Sequence, residues 1–372
     1  MSFSFSFGGD DIDEDEQVAT TAGAHPTGDA AGTAPVPSPS AFPVAGKPQL
    51  PPTHLDLKSM LGRLPSTISY SLLDVVLDSG ETIQLPRREL WDVRVQLMAE
   101  AEDGDSGETE AGLGSHDVKT GVYEGGFKSW ESSVDLVKVL AQSKSFLDSV
   151  DATPCVVELG CGTALPSLAL FQWAIEKKLN ADDGTPLSII LADYNSAVLE
   201  LVTLPNFLLA WVRQGASDGS VVPVDAMSSE GELEITQDIV KGFEQFLAER
   251  KITLDFFSGA WSSELVGLMS KRTETIAIPG CTKKTSIIIG AETIYSPFAL
   301  QSFTDTTFAL LEQEKAFQNT AELLVGAKKL YFGVGGSLDD FVSKAREKGA
   351  KVEQVREETE GVRRGVVRCA LP

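Results

Sequence analysis

The sequence predicts an α/β fold built on a mostly parallel sheet. From Val118 onward, short apolar runs alternate with stretches of helical periodicity, the pattern of strands joined by crossover helices. One run ends in the glycine turn "ELGCGTALP". The last two, "KVEQVREE" and "VRRGVVRCAL", face each other across "TEG" and predict an antiparallel hairpin closing the sheet.

Taken in order, residues 1–53 open with an acidic run, Asp10 to Glu16, and continue through sequence rich in Pro, Ala, Gly and Ser. Such a segment buries too little apolar surface to offset its ordering entropy, and a disordered tail is expected. Residues 54–117 read as an N-terminal extension packed on the main domain, with "DSG" turning between two strands and a flexible acidic loop at Ala101 to His116. Residues 118–372 form the main domain. There "SSVDLVKVLAQSKSFL" predicts a helix, "CVVEL" a buried strand, "PSLALFQWAIEKKL" a helix and "LSIILAD" a strand, and "SAVLELVTLPNFLLAWV" a helix interrupted near Pro205. An acidic Gly-Ser insertion spans Gly215 to Glu232. After it come a helix at "IVKGFEQFLAERK", strands at "ITLDFFSG" and "TSIIIGA", a helix at "FALQSFTDTTFALLEQEKAF", a strand at "AKKLYFGVG" and a helix at "SLDDFVSKAREKG".

Composition narrows the chemistry. The 372 residues, 42% hydrophobic, suffice for a sizeable core. The scattered Cys155, Cys161, Cys281 and Cys369 show no CxxC spacing, and His25, His54 and His116 precede the main domain, which leaves almost no material for disulfides, a metal centre or a histidine triad. No uninterrupted apolar window approaches a membrane span and the N-terminus lacks the features of a signal peptide, so a cytosolic or nuclear address is expected. The formal charge of −23, from 31 basic and 54 acidic residues, repels nucleic acid and suits a basic partner, although acidity spread over loops also serves solubility alone.

The glycine turn decides the ligand class. A strand ending at Glu158, then Gly160, Gly162 and a helix near Pro166, brings flexible backbone and a helix N-terminus to the carboxyl edge of a parallel sheet. A dinucleotide fingerprint requires a third glycine where Leu165 stands. A glycine turn beside a carboxylate suits a nucleoside with an amino-acid tail, namely S-adenosylmethionine. Glu158 would meet its ammonium, directly or through water, while Gly160 and Gly162 let the chain approach without a Cβ. The next strand ends at Asp193, a carboxylate able to accept from both ribose hydroxyls; the competing role is helix N-cap, unless Ser196 does the capping. Asp193 lies 31 residues beyond Gly162, and the insert "NADDGTP" accounts for the excess over a spacing of about 20. Trp261 ends the third strand, either facing adenine or buried in the core. The fourth ends "GAETIYSP", which puts Glu292 and Tyr295 near the transferred methyl, with a salt bridge or helix cap as the alternative for Glu292.

The stretches "GVYEGGFKSWESSVDL", "VVELGCGTALPSLALF", "LADYNSAVLELVTLPN", "FFSGAW", "GAETIYSP" and "YFGVGGSLDDF", with the opening "FSFGGDDIDEDE", resemble the protein-histidine N-methyltransferases of eukaryotes. That resemblance implies the class I, Rossmann-like seven-stranded fold. It also implies methylation of one histidine on a basic large-subunit ribosomal protein, touching ribosome biogenesis and translation, by a monomer found in cytoplasm and nucleus, with no direct nucleic-acid or membrane contact. Carried over position by position, the cofactor contacts are Lys128, Ser129, Trp130, Glu131, Ser132, Gly160, Asp193, Tyr194, Asn195, Gly259, Ala260, Trp261 and Ala291. The chain departs from the wider class at Ala164, in place of a third glycine, and at "ETIY", where amide-nitrogen methylators carry Asn-Pro-Pro-Tyr; the latter argues against glutamine or DNA-base substrates.

A neutral imidazole already presents a lone pair at neutral pH, so methyl transfer needs alignment more than a strong base. A carboxylate accepting the other ring N–H would choose the attacking nitrogen. Glu292 is the candidate, with Tyr295 shaping the pocket and Glu131 the second choice. Two other readings stay open: a protein-lysine methyltransferase of the same fold, and a non-catalytic escort of a basic ribosomal protein.

Overall fold

The computed structural model describes residues 45–46, 48–102, 126–148, 152–180, 185–215, 229–275, 283–331 and 336–372. The expected tail up to residue 44, the acidic loop from residue 103 and most of the insertion after Gly215 lie outside the described residues.

The main sheet has eight strands in the order β1-β7-β5-β4-β8-β9-β11-β10. Its parallel centre is β4 (Thr153–Leu159), β5 (Leu187–Asp193), β7 (Ile252–Ser258), β8 (Lys284–Ala291) and β9 (Thr320–Lys328). The hairpin of β10 (Lys351–Glu358) and β11 (Arg364–Ala370) pairs antiparallel and joins through β11 to β9, as the sequence predicts. At the opposite edge β1 (Thr53–Leu55) adds antiparallel to β7, making an eighth strand. The tail reading through residue 53 is therefore corrected: residues 48–53 run onto the main sheet.

Alternation along the strands builds two core layers. On β4, Val156 packs into the layer beneath α3 (Glu131–Gln142), α4 (Leu165–Asn180), α6 (Leu204–Gly215) and α7 (Gln237–Glu249). Cys155, Val157 and Leu159 face the layer beneath α8 (Ser263–Thr275), α9 (Pro297–Ala316) and α10 (Leu338–Glu347). Each large apolar side chain fully buried this way contributes about 1.5–3 kcal/mol of transfer free energy.

A second, three-stranded sheet comprises β2 (Thr67–Val76), β3 (Thr82–Arg88) and β6 (Glu230–Glu234). Residues Glu230 to Glu232, read as insertion, pair instead with β2. The β2–β3 turn is the expected "DSG", with Gly80 at φ +84° and the Leu77 N–H donating to the Glu81 carbonyl. Before β2 lies the short α1 (Leu57–Leu61), and after β3 the chain forms α2 (Leu90–Glu102).

Two elements differ from the sequence reading. The strand expected at "AKKLYFGVG" is β9, which ends at Lys328; the apolar Leu330 beyond it is exposed. Nor does Pro205 interrupt its helix. The chain passes from α5 (Ser196–Val198) through a π turn, Leu199–Thr203, straight into α6. Pro205 cannot donate to the Leu201 carbonyl four residues back, and the buried Arg88 Nη1 donates there instead, at 2.9 Å. This helix is long and apolar enough to cross a membrane by composition, and most of it is buried in the core.

Candidate active site

The glycine turn is clamped from behind by that π turn. Thr203 Oγ1 donates to the Gly162 carbonyl at 2.6 Å and Asn206 Nδ2 to the Thr163 carbonyl at 3.1 Å. Gly160 and Gly162 both lie in the left-handed region, at φ +63° and +51°. A Cβ on Gly160 would stand 2.8 Å from Thr293 Cγ2 and 3.1 Å from Trp261 Cζ2, and one on Gly162 would stand 2.9 Å from the Gly126 carbonyl oxygen. Ala164 also turns left-handed, φ +54°, at the position where the wider class carries glycine.

The turn opens onto a cavity of about 1050 Å³, counting its mouth, at the point where the strand order reverses between β4 and β8. Of the residues predicted from sequence, Lys128 and Trp130 reach it from the approach to α3, and Gly160 and Gly162 from the turn. Asp193, Tyr194 and Asn195 reach it after β5, Ala260 and Trp261 after β7, and Ala291, Glu292 and Tyr295 after β8.

Five predicted residues do not line the cavity. Ser129 shares a 2.9 Å hydrogen bond with Thr163, Ser132 binds Glu292, Glu131 opens α3, and Gly259 packs beneath Pro51. Glu158 is buried and turned toward α4. Its Oε2 accepts from the Ser167 N–H at 3.0 Å and from the Ser167 hydroxyl, and burial pushes its carboxyl up to about 8. The sequence reading of Glu158 as an ammonium contact gives way to a cap on the first turn of α4.

Asp193 is also buried, and its pKa rises to about 6 because burial outweighs the N–H groups it receives. Its Oδ2 accepts from Gly162 N–H at 3.0 Å and its Oδ1 from Asn195 N–H at 3.1 Å, and the Tyr194 N–H also bonds the carboxylate. The helix cap is neither Asp193 nor Ser196: Asn195 Oδ1 accepts from Ala197 N–H at 3.0 Å.

Glu292 occupies a further left-handed position, φ +54°, held by Ser132 Oγ donating to one carboxylate oxygen and Tyr331 Oη to the other. Burial raises its pKa despite those donors and nearby Lys328. Burial, followed by the charge of Glu292, keeps the Tyr331 phenol protonated. Lys328 Nζ lies over the rings of Trp130 and Tyr331, at 5.3 and 5.8 Å. The cavity-lining Gln49 carries no signal in the sequence, because it sits in the stretch read as a tail, and Tyr331 opens the family stretch "YFGVGGSLDDF" with nothing local to show that its hydroxyl reaches Glu292.

This arrangement fits a nucleoside with a charged tail. A buried carboxylate and an indole stand side by side at the strand ends, and a Cβ-free turn faces them. Thr293 Oγ1 and Trp261 Nε1 are buried without hydrogen-bond partners among the described residues.

Comparison with known proteins decides the family. Histidine protein methyltransferase 1 of Saccharomyces cerevisiae is 33% identical, over 92% of this chain and 89% of its own. The chain belongs to the histidine protein methyltransferase 1 family. The Schizosaccharomyces pombe member is 32% identical over 87% of each chain, and a Rattus norvegicus homologue is 29% identical over 63% of this chain and 52% of its own. No family model matches the chain. The N-terminal domain of human METTL16 in complex with SAH is 10% identical over 80% of this chain and 88% of its own, at a TM-score of 0.35. As a member of its family the chain is an S-adenosylmethionine-dependent methyltransferase that modifies protein histidine.

Proposed function

We propose that the cavity seats S-adenosylmethionine with its nucleoside at Asp193 and Trp261, and that the acceptor histidine, on a basic large-subunit ribosomal protein, enters beside Glu292. When bound, the cofactor supplies an electrophilic sulfonium methyl. Asp193 accepts the ribose hydroxyls, Trp261 faces the adenine, and Gly160 and Gly162 leave room for the tail. Lys128, Ser129, Trp130, Glu131 and Ser132 contribute as one segment, in which Trp130 lines the cavity and Ser129 and Ser132 hold its walls.

The observation that carries the reading is the fixed carboxylate of Glu292. Two hydroxyls and a left-handed backbone leave it one orientation at the cavity wall. A histidine ring whose N–H donates to Glu292 presents its other nitrogen, with a free lone pair, to the methyl. As that nitrogen gains the methyl, positive charge builds on the ring and the opposite N–H proton moves toward Glu292, whose raised proton affinity favours the transfer. Tyr295 bounds the pocket from the residues that follow β8.

The net charge of −23 supports a basic protein acceptor. On this reading the chain works as a monomer in cytoplasm and nucleus, with consequences for ribosome biogenesis and translation. The test is incubation with radiolabelled S-adenosylmethionine and ribosomal proteins from cells lacking the enzyme, followed by hydrolysis and separation of methylated amino acids. Methylhistidine on one large-subunit protein is expected. Label confined to other proteins would overturn the ribosomal assignment, and no label despite cofactor binding would favour an escort role.

A further inference from the structure

Residues 48–52 run as a strap across the ends of β5 and β7. The Leu50 N–H donates to Tyr194 Oη at 3.1 Å, and the Leu50 carbonyl accepts from the Ala260 N–H at 3.0 Å. The strap is thus tied to both strands whose ends carry Asp193 and Trp261. It continues directly into β1, in register with β7 at Thr53–Ser258, His54–Phe257 and Leu55–Phe256, where His54 Nε2 also meets Asp255 Oδ1 at 3.3 Å. Pro51 and Pro52 restrict the backbone between these anchors.

The approach is close enough to dictate a residue. Gly259 lies at φ +107°, and a Cβ there would fall 2.5 Å from the Pro51 carbonyl oxygen and 2.8 Å from Pro52 Cα. Just before the first anchor, Gln49 lines the same cavity as Asp193, Tyr194 and Trp261. Its amide offers both donors and an acceptor, the complement of an adenine edge.

We propose that the strap is the outer wall of the nucleoside end of the cofactor cavity, and that Gln49 is a cofactor-binding residue delivered by it. The proposal rests on the cavity being the cofactor site. Cofactor affinity then depends on a stretch preceding the whole strand-helix alternation, and the Tyr194 hydroxyl acts as a positioning group by holding that stretch.

The test uses the full chain with Gln49→Ala and, separately, Tyr194→Phe, which keeps the ring and deletes the anchor. Titration calorimetry with S-adenosylhomocysteine is expected to show a Kd about tenfold higher for Gln49→Ala and several-fold higher for Tyr194→Phe. 5′-Methylthioadenosine, which lacks the amino-acid tail, is expected to lose the same factor. KM for the protein acceptor is expected to stay within about twofold, and amide exchange at Leu50 to slow when S-adenosylhomocysteine is added to the unmodified chain. If the unmodified chain binds normally and both variants match it within twofold, the strap proposal falls alone. If the unmodified chain binds no S-adenosylhomocysteine, the cofactor site itself is misplaced and the strap proposal falls with it.

Discussion

On the proposed mechanism a single carboxylate, Glu292, separates catalysis from binding. Glu292→Gln keeps the shape of the side chain but cannot take a proton, and kcat is expected to fall about 10²-fold or more while the Kd for S-adenosylhomocysteine moves less than about twofold. Single-turnover methylation alongside calorimetry would show the split; unchanged kcat would assign the proton elsewhere. Asp193 is expected to govern binding instead. Its pKa of about 6 means that it loses acceptor capacity as pH falls, so cofactor affinity should decline below pH of about 6, and Asp193→Asn should bind weakly with a flat profile. Both residues are legible in the sequence because each closes a predicted strand at the carboxyl edge. Glu158 misleads for the same reason: position at a strand end does not reveal which way a side chain turns, and the Ser167 N–H and hydroxyl claim it.

At the scale of the element, the helix containing Pro205 shows how a sequence fault becomes a support. The guanidinium of Arg88 bonds the Leu201 carbonyl, Asp92 at 2.7 Å and Gln96 at 2.8 Å, and the Arg88 backbone N–H donates to Asn206 Oδ1 at 2.8 Å. Arg88→Met would strand Asp92 and the Leu201 carbonyl, at a cost of about 3–5 kcal/mol. Urea unfolding would measure that loss, and cofactor affinity should weaken with it, because Thr203 and Asn206 hold the glycine turn from the same helix. Local pattern predicted a break here because proline alone is visible in sequence, whereas the compensating arginine is more than a hundred residues upstream. Strand β9 was displaced for a simpler reason. The bulky Leu330 and Tyr331 look like strand residues, yet the paired segment is the earlier "TAELLVGAK".

Across the whole molecule the fold class and most of the strand and helix assignments were legible, since alternation and periodicity are local and the core follows them. In the second sheet the β2–β3 hairpin was legible from its turn, but β6 was not, because it pairs with β2 across more than 150 residues. Charge also acts at this scale. With a formal charge of −23, capture of the proposed basic acceptor should be steered, so kcat/KM for the protein is expected to fall several-fold between about 50 and 300 mM salt, with the cofactor Kd nearly constant. Steady-state kinetics at graded ionic strength checks both; parallel loss of the two would indicate general destabilisation.

The antiparallel β1 strand carries a practical consequence for handling the protein. A sheet must end somewhere, and this one ends on β1 at one side and on β10, studded with Lys351, Glu353, Gln354 and Glu357, at the other. Trimming the chain past Leu55 would peel away the shorter guard and leave the apolar β7, with Phe256 and Phe257, as a bare rim open to pairing with a second molecule. Such a truncation would fail first in the centrifuge, as self-association, before any assay could report lost activity.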